Sequence, residues 1–253
     1  MKNRVKILNV AIVNITQEEL LAQLKKGVLV TPNVDQIVKM QKDREYYDIV
    51  RRAEWCVCDS KILYLCSRLL GHPLPEAIPG SSFFPAFCDY HKDDLNCKIF
   101  LLGAMEGVSK KAMDRINSRI GRPIVVGAYS PSYGFEKKQD ENEEIYRMIN
   151  SSGANVVLVG VGCPKQEKWI DAHKNKMPAV DIWMALGATI DFEAGNVKRA
   201  PLIWRKLYIE WFYRFLQEPR RMYKRYFVDD PIFFWYLLKQ LLGLYKNPFE
   251  RLA

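Results

Sequence analysis

An α/β fold, with a mostly parallel, Rossmann-like sheet and helices on both faces, is predicted by two features of residues 1–197. Short apolar runs alternate with segments of helical period, and the runs are apolar on both faces rather than at every second position. A run such as Asn155-Val-Val-Leu-Val-Gly-Val161 must be covered by helices on each side. Strands are expected at 5–13, 27–32, 55–59, 97–103, 124–128, 155–161 and 180–186. Helices are expected between most of them, at 17–26, 35–51, 60–70, 107–120, 139–151 and 164–175. Such alternation favours parallel pairing, and parallel sheets bind ligands outside the carboxyl ends of their strands. Polar residues at those ends are therefore the first candidates for chemistry.

Composition divides the chain near residue 198. The 253 residues carry 38 Lys and Arg against 29 Asp and Glu, a net +9. Residues 198–253 hold +7 of that charge, and residues 201–253 hold 15 of the 31 aromatics. An α/β domain at 1–197 and a helical, basic and aromatic appendage at 198–253 follow. In the appendage Lys206, Glu210 and Arg214 form one charged line, with Arg205 beside it. Arg220, Arg221, Lys224 and Arg225 span about 140° of the next helix, opposite Met222, Tyr223, Tyr226 and Phe227. Asp229, Asp230 and Pro231 read as a further helix start. A tail of this composition suits an anionic membrane surface; packing on the α/β domain or on a second subunit is the alternative for its first helix.

Several function classes are excluded. No run approaches the roughly 20 apolar residues needed to span a bilayer, and the opening residues lack the pattern of a secretory leader. Six cysteines without a CxxC and three histidines give no zinc-site spacing. A reducing, cytoplasmic compartment fits these thiols. No zinc-finger, helix-turn-helix or RNA-recognition pattern points to nucleic acid.

At the expected strand ends stand Thr31, Asn33, Asp59, Gly162, Lys165 and Asp191. Thr31 and Asn33, two apart in an extended chain, share a face. Asp59 precedes a helix and can be either a cap or a catalytic carboxylate. Val159-Gly-Val-Gly-Cys-Pro-Lys-Gln-Glu-Lys-Trp169 ends a strand and opens a helix, where backbone N–H groups and Lys165 would suit a diphosphate. Lys165 stands where the dinucleotide fingerprint needs its third glycine, and the segment is not a P-loop either. No Asp-x-Asp is present to hold a divalent metal on a nucleotide diphosphate, so the neutralising cations must be Lys or Arg.

Three blocks carry a resemblance: Gly162-Cys-Pro-Lys-Gln-Glu-Lys-Trp169, Ala185-Leu-Gly-Ala-Thr-Ile-Asp-Phe-Glu-Ala-Gly-Asn-Val-Lys-Arg-Ala-Pro201 and Glu210-Trp-Phe-Tyr-Arg-Phe-Leu-Gln-Glu-Pro-Arg-Arg221. With Thr31-x-Asn33 and Ser67-Arg-Leu-Leu-Gly-x-Pro-Leu74, the chain resembles the WecG/TagA/CpsF glycosyltransferases over nearly its whole length. The resemblance implies an inverting enzyme that needs no metal and no cofactor. It would move a sugar from a UDP-sugar to a polyprenyl-diphosphate-linked saccharide during bacterial cell-surface polysaccharide synthesis. It would act as a peripheral protein on the inner face of the cell membrane, and as a homo-oligomer in solution.

By the same resemblance Asp59 is the general base, and Thr31 and Asn33 line the sugar pocket. Gln166 and Asp191 lie on the nucleotide side, Phe135 stacks on uracil, and Arg214 and Arg221 neutralise the departing diphosphate. The chain departs from the family at Asn33-Val34-Asp35, usually Asn-Pro-Glu, and at Asp59-Ser60, usually Asp-Gly. It also has Ala77 and Ser82 where Arg and Asp are common. The donor sugar is thus open between N-acetylmannosamine, glucose, galactose and a uronic acid. A nucleotide-sugar-binding subunit without turnover is the alternative function.

Overall fold

The computed structural model describes residues 3–197, 201, 204 and 210–250. The expected charges at Lys198, Arg199, Arg205 and Lys206 lie outside those residues. Six strands form one parallel sheet: β3 (Gly27–Val30), β4 (Trp55–Cys56), β5 (Ile99–Gly103), β6 (Val125–Tyr129), β7 (Val156–Gly160) and β8 (Ile182–Ala185), in the order β4-β3-β8-β7-β5-β6. Every residue of β5, β7 and β8 is buried, as apolar runs without alternation require. The expected α/β fold is found, with a hydrophobic core on each side of the sheet.

The segment at 5–13, expected as one strand, is instead an antiparallel hairpin beside the sheet, β1 (Arg4–Ile7) and β2 (Val10–Val13). The chain reverses at Leu8-Asn9, where Leu8 takes φ 53°. Its side chain is buried and its N–H donates to Gln240 Oε1 at 2.7 Å. Burial and that bond hold a conformation that a leucine rarely adopts.

Helices α1 (Gln17–Gln23), α2 (Val34–Met40), α3 (Arg44–Arg52), α4 (Lys61–Leu69), α6 (Val108–Ile120), α7 (Gln139–Ser152) and α8 (Lys165–His173) fill the expected connections. The single helix expected at 35–51 is two, because Asp43 caps α3 by accepting from Tyr46 N at 2.9 Å. Helix α5 (Gly80–Tyr90) has no counterpart in the sequence reading. Pro79 precedes it and Pro85 lies inside it, and burial of Phe83, Phe84 and Phe87 outweighs the local propensity. The short α9 (Thr189–Glu193) follows β8.

The appendage contains α10 (Glu210–Gln217), α11 (Pro219–Tyr223), a π-helical turn at Lys224–Asp229, and α12 (Ile232–Leu241). Phe233 and Leu237 of α12 are buried in the same core as the hairpin, α2 and α3. Gln240 Nε2 donates to Lys6 O, Tyr245 Oη to Gln41 Oε1, and Asn247 Nδ2 to Tyr47 Oη. The end of the chain is thus fastened to the α/β body, and Met222, Lys224, Arg225 and Asp229 lie beside residues that follow β3, β4, β7 and β8.

Candidate active site

A cleft of about 550 Å³ opens at the carboxyl ends of β4, β3, β8 and β7. After β3 come Thr31, which is buried, and Asn33, which caps α2. Asn33 Oδ1 accepts from Gln36 N at 3.2 Å while Gln36 Oε1 accepts from Asn33 N at 2.8 Å. This reciprocal cap fixes the asparagine side chain at the cleft wall.

After β4 comes Asp59. Its N–H donates to Pro32 O at 3.2 Å, and its Oδ1 accepts from Gly80 N, also at 3.2 Å. The cap of α4 is Ser60, whose Oγ accepts from Leu63 N. The serine that departs from the family pattern therefore does the local capping. The Asp59 carboxylate faces the cleft and is oriented by the first turn of α5.

The β7 and β8 ends meet closely. A Cβ on Gly160 would lie 2.6 Å from Gly187 O, so only glycine lets the two turns touch. Gly162, at φ 90°, turns the chain into α8. Gln166 Oε1 accepts from both Gly162 N, at 3.2 Å, and Gly187 N, at 3.1 Å. Gly162, Gln166 and Asp191 all line the cleft. Cys163 lines it too, but burial pushes its thiol up to about 12, so it stays neutral.

Three sequence expectations are corrected. The Gly162 N–H is already bonded to Gln166 rather than open to a phosphate. Lys165 is not among the cleft-lining residues; its Nζ pairs with Glu136 at 3.5 Å and lies 5.3 Å from the Tyr133 ring centre. Phe135 is 2% exposed and packs on Trp169 in the core, so its ring has no face for a base. The exposed ring of that turn is Tyr133, at 96%. Phe135→Ala is expected to lower the unfolding free energy by ~3–5 kcal/mol. An unchanged denaturation midpoint would place the ring outside the core.

Arg214 belongs to α10 and Arg221 to α11; their side chains lie outside what is described. Ala77 is buried in the core, and the cleft residues of that segment are Gly80 and Ser81.

The sequence reading missed Asp35, Lys39, Lys224, Arg225 and Asp229, all in the cleft wall. Arg225 Nη2 donates to Asn33 Oδ1 at 3.0 Å, and its Nε lies 3.9 Å from Asp35 and 3.7 Å from Asp230. Lys39 Nζ donates to Asp35 at 2.8 Å. Burial pushes the Asp230 carboxyl up to about 6 against the pull of Arg225. On an ideal α-helix Arg225 would lie about 60° from Met222, and Lys224 about 160° from it. Lys224–Asp229 is a π-helical turn, and Met222, Lys224 and Arg225 all line the cleft.

Among the described residues, no cluster of three His, Cys, Asp or Glu side chains could hold a metal ion. Asp35, Asp59, Asp191 and Asp229 line, with Lys39, Lys224 and Arg225, one glycine-walled cleft at the edge of a parallel sheet, where doubly wound α/β enzymes bind their ligands. The model of the Glycosyl transferase WecG/TagA/CpsF family matches residues 5–247, and the chain belongs to that family. It is similar to the N-acetylglucosaminyldiphosphoundecaprenol N-acetyl-beta-D-mannosaminyltransferases of Staphylococcus aureus strains MW2 and MRSA252. Each is 30% identical over 211 residues, which cover 83% of this chain and 79% of the relative.

Proposed function

We propose that this glycosyltransferase moves a sugar from a UDP-sugar to a polyprenyl-diphosphate-linked saccharide in cell-surface polysaccharide synthesis, with inversion and without a metal. The observation that carries the reading is Asp59, a carboxylate in the cleft that is held from the side by Gly80 and is not the cap of its own helix. In one displacement the acceptor hydroxyl oxygen attacks the anomeric carbon. Asp59 takes the hydroxyl proton, and the bond to the diphosphate breaks, so that UDP leaves with the electron pair.

Lys39, Lys224 and Arg225 supply positive charge in the same cleft, where fixed cations stabilise a departing diphosphate. Arg214 and Arg221 add to them in this reading, and Gln166 and Asp191 face the nucleotide. The names of the relatives point to an N-acetylhexosaminyl donor and an N-acetylglucosaminyl-diphosphate lipid as the first pair to try.

The appendage, 198–253, completes the site and faces the inner leaflet. On α12 the side chains of Phe234, Trp235, Leu238 and Leu241 are exposed, with Lys239 Nζ 5.2 Å from the Trp235 ring centre. An exposed aromatic face with a cation beside it suits a shallow interfacial seat. No helix among the described residues is long and apolar enough to cross a membrane.

Lipid extraction of the reaction, with the anomeric configuration read by NMR, tests the chemistry. A β-linked lipid disaccharide from an α-linked donor is expected; an α-linked product would contradict a single displacement. Arg225→Ala is expected to lower turnover by about 100-fold, the usual cost of removing one preorganised charge. Unchanged steady-state kinetics would remove Arg225 from the site.

A further inference from the structure

Glu167 is 2% exposed, next to Gln166 on α8, and takes no part in the chemistry above. Its Oε1 accepts from Gln166 Nε2 at 3.1 Å, while its Oε2 is buried without a hydrogen-bond partner. Burying a carboxyl with half of its capacity unused is costly, so this side chain needs a reason beyond packing.

The geometry of Gln166 supplies one. A side-chain amide has two ends of nearly equal shape, and only its partners decide which end points where. The Gly162 and Gly187 N–H groups both require the carbonyl end. Turned around, the amide would set its NH2 against two N–H donors. Glu167 provides the acceptor that the NH2 needs in the productive orientation, and burial pushes its carboxyl up to about 7, with an acceptor oxygen in either protonation state. Through Gln166 the carboxyl holds together the turn after β7 and the turn after β8, the one that leads into α9 and Asp191.

We propose that Glu167 is a positioning residue: it orients the Gln166 amide, and so clamps the two glycine turns that form the nucleotide side of the cleft. The ligand in this inference rests on the transferase reading; the clamp itself does not.

The test compares the full-length protein with Glu167→Leu, close in volume but without an acceptor, and Glu167→Gln, which keeps one. Amide hydrogen exchange at Gly162 and Gly187 reads the clamp, and calorimetry with UDP reads its consequence. In Glu167→Leu both amides are expected to exchange at least about tenfold faster and UDP to bind about tenfold more weakly. Glu167→Gln should match the wild type in both. Slow exchange retained in Glu167→Leu, or Glu167→Gln as impaired as the leucine variant, would overturn the proposal.

Should Glu167→Leu fail to fold, Gln166→Glu and the double change Gln166→Glu/Glu167→Gln carry the same test. The single change sets two carboxyls face to face and should speed exchange; the double change restores a donor–acceptor pair and should slow it. No recovery in the double variant would equally overturn the clamp. If the wild type itself binds no UDP, the donor assignment fails, and the exchange arm still decides the role of Glu167.

Discussion

Asp59→Asn is expected to lower the turnover of sugar transfer by about 10²–10⁴-fold, the range that loss of a positioned general base produces. UDP affinity is expected to stay at the wild-type level. Asparagine has nearly the same shape, and its Oδ1 can still accept from Gly80 N, the bond that now orients the aspartate. The wall between β4 and α5 should therefore keep its form, while the group that would take the acceptor's proton is gone. Measuring turnover and UDP binding on the same preparation separates a chemical defect from a structural one. Wild-type turnover in this variant would remove Asp59 as the base, and loss of UDP binding with it would make the residue architectural.

Trp235→Glu combined with Leu238→Glu should detach the protein from anionic vesicles while leaving it folded. Both side chains are on the outer face of α12, 52% and 44% exposed, whereas Phe233 and Leu237 hold the inner face in the core. Each large apolar side chain contributes roughly 1.5–3 kcal/mol on burial, so losing two should weaken partitioning by about 100-fold or more. Activity on a lipid-linked acceptor is expected to fall in parallel, and UDP binding is not. Vesicle sedimentation with melting curves reads this directly, and undiminished sedimentation would move the membrane seat elsewhere. Truncation after residue 197 is expected to remove membrane association and activity as well. It also strips Phe233, Leu237 and the Gln240 bonds from the hairpin and core, so the surface substitutions are the sharper experiment.

Much of this architecture is legible in the sequence because a parallel strand covered on both faces leaves an unbroken apolar run. The ends of those runs point to Thr31, Asn33, Asp59, Gly162 and Asp191, which line one cleft, and to Lys165, which does not; Gln166, also in the cleft, comes from the family resemblance. What stays hidden is set by register or by tertiary context. The run at 5–13 conceals a reversal at Leu8 because apolar residues flank it on both sides. Helix α5 is masked by Pro79 and Pro85 and forms for the sake of three buried phenylalanines.

Tyr133-Gly134-Phe135 offers two rings, and composition alone does not say which faces inward. Nor does an ideal helical wheel foresee a π-helical turn, so Lys224 and Arg225 read as a surface stripe although both line the cleft. Spacing alone leaves open whether Asp59 caps its helix; Ser60 takes that role, and the base role of Asp59 is what the family resemblance implies.

The most direct test of the central claim is UDP release by the full-length protein, incubated with detergent-solubilised lipid-linked acceptors, a panel of UDP-sugars and EDTA. Release with one donor, dependent on acceptor and undiminished by the chelator, is the predicted result and names the sugar. Release that needs an added divalent metal, or none with any donor while UDP still binds, would contradict a metal-independent transferase built on Asp59 and the cations of this cleft.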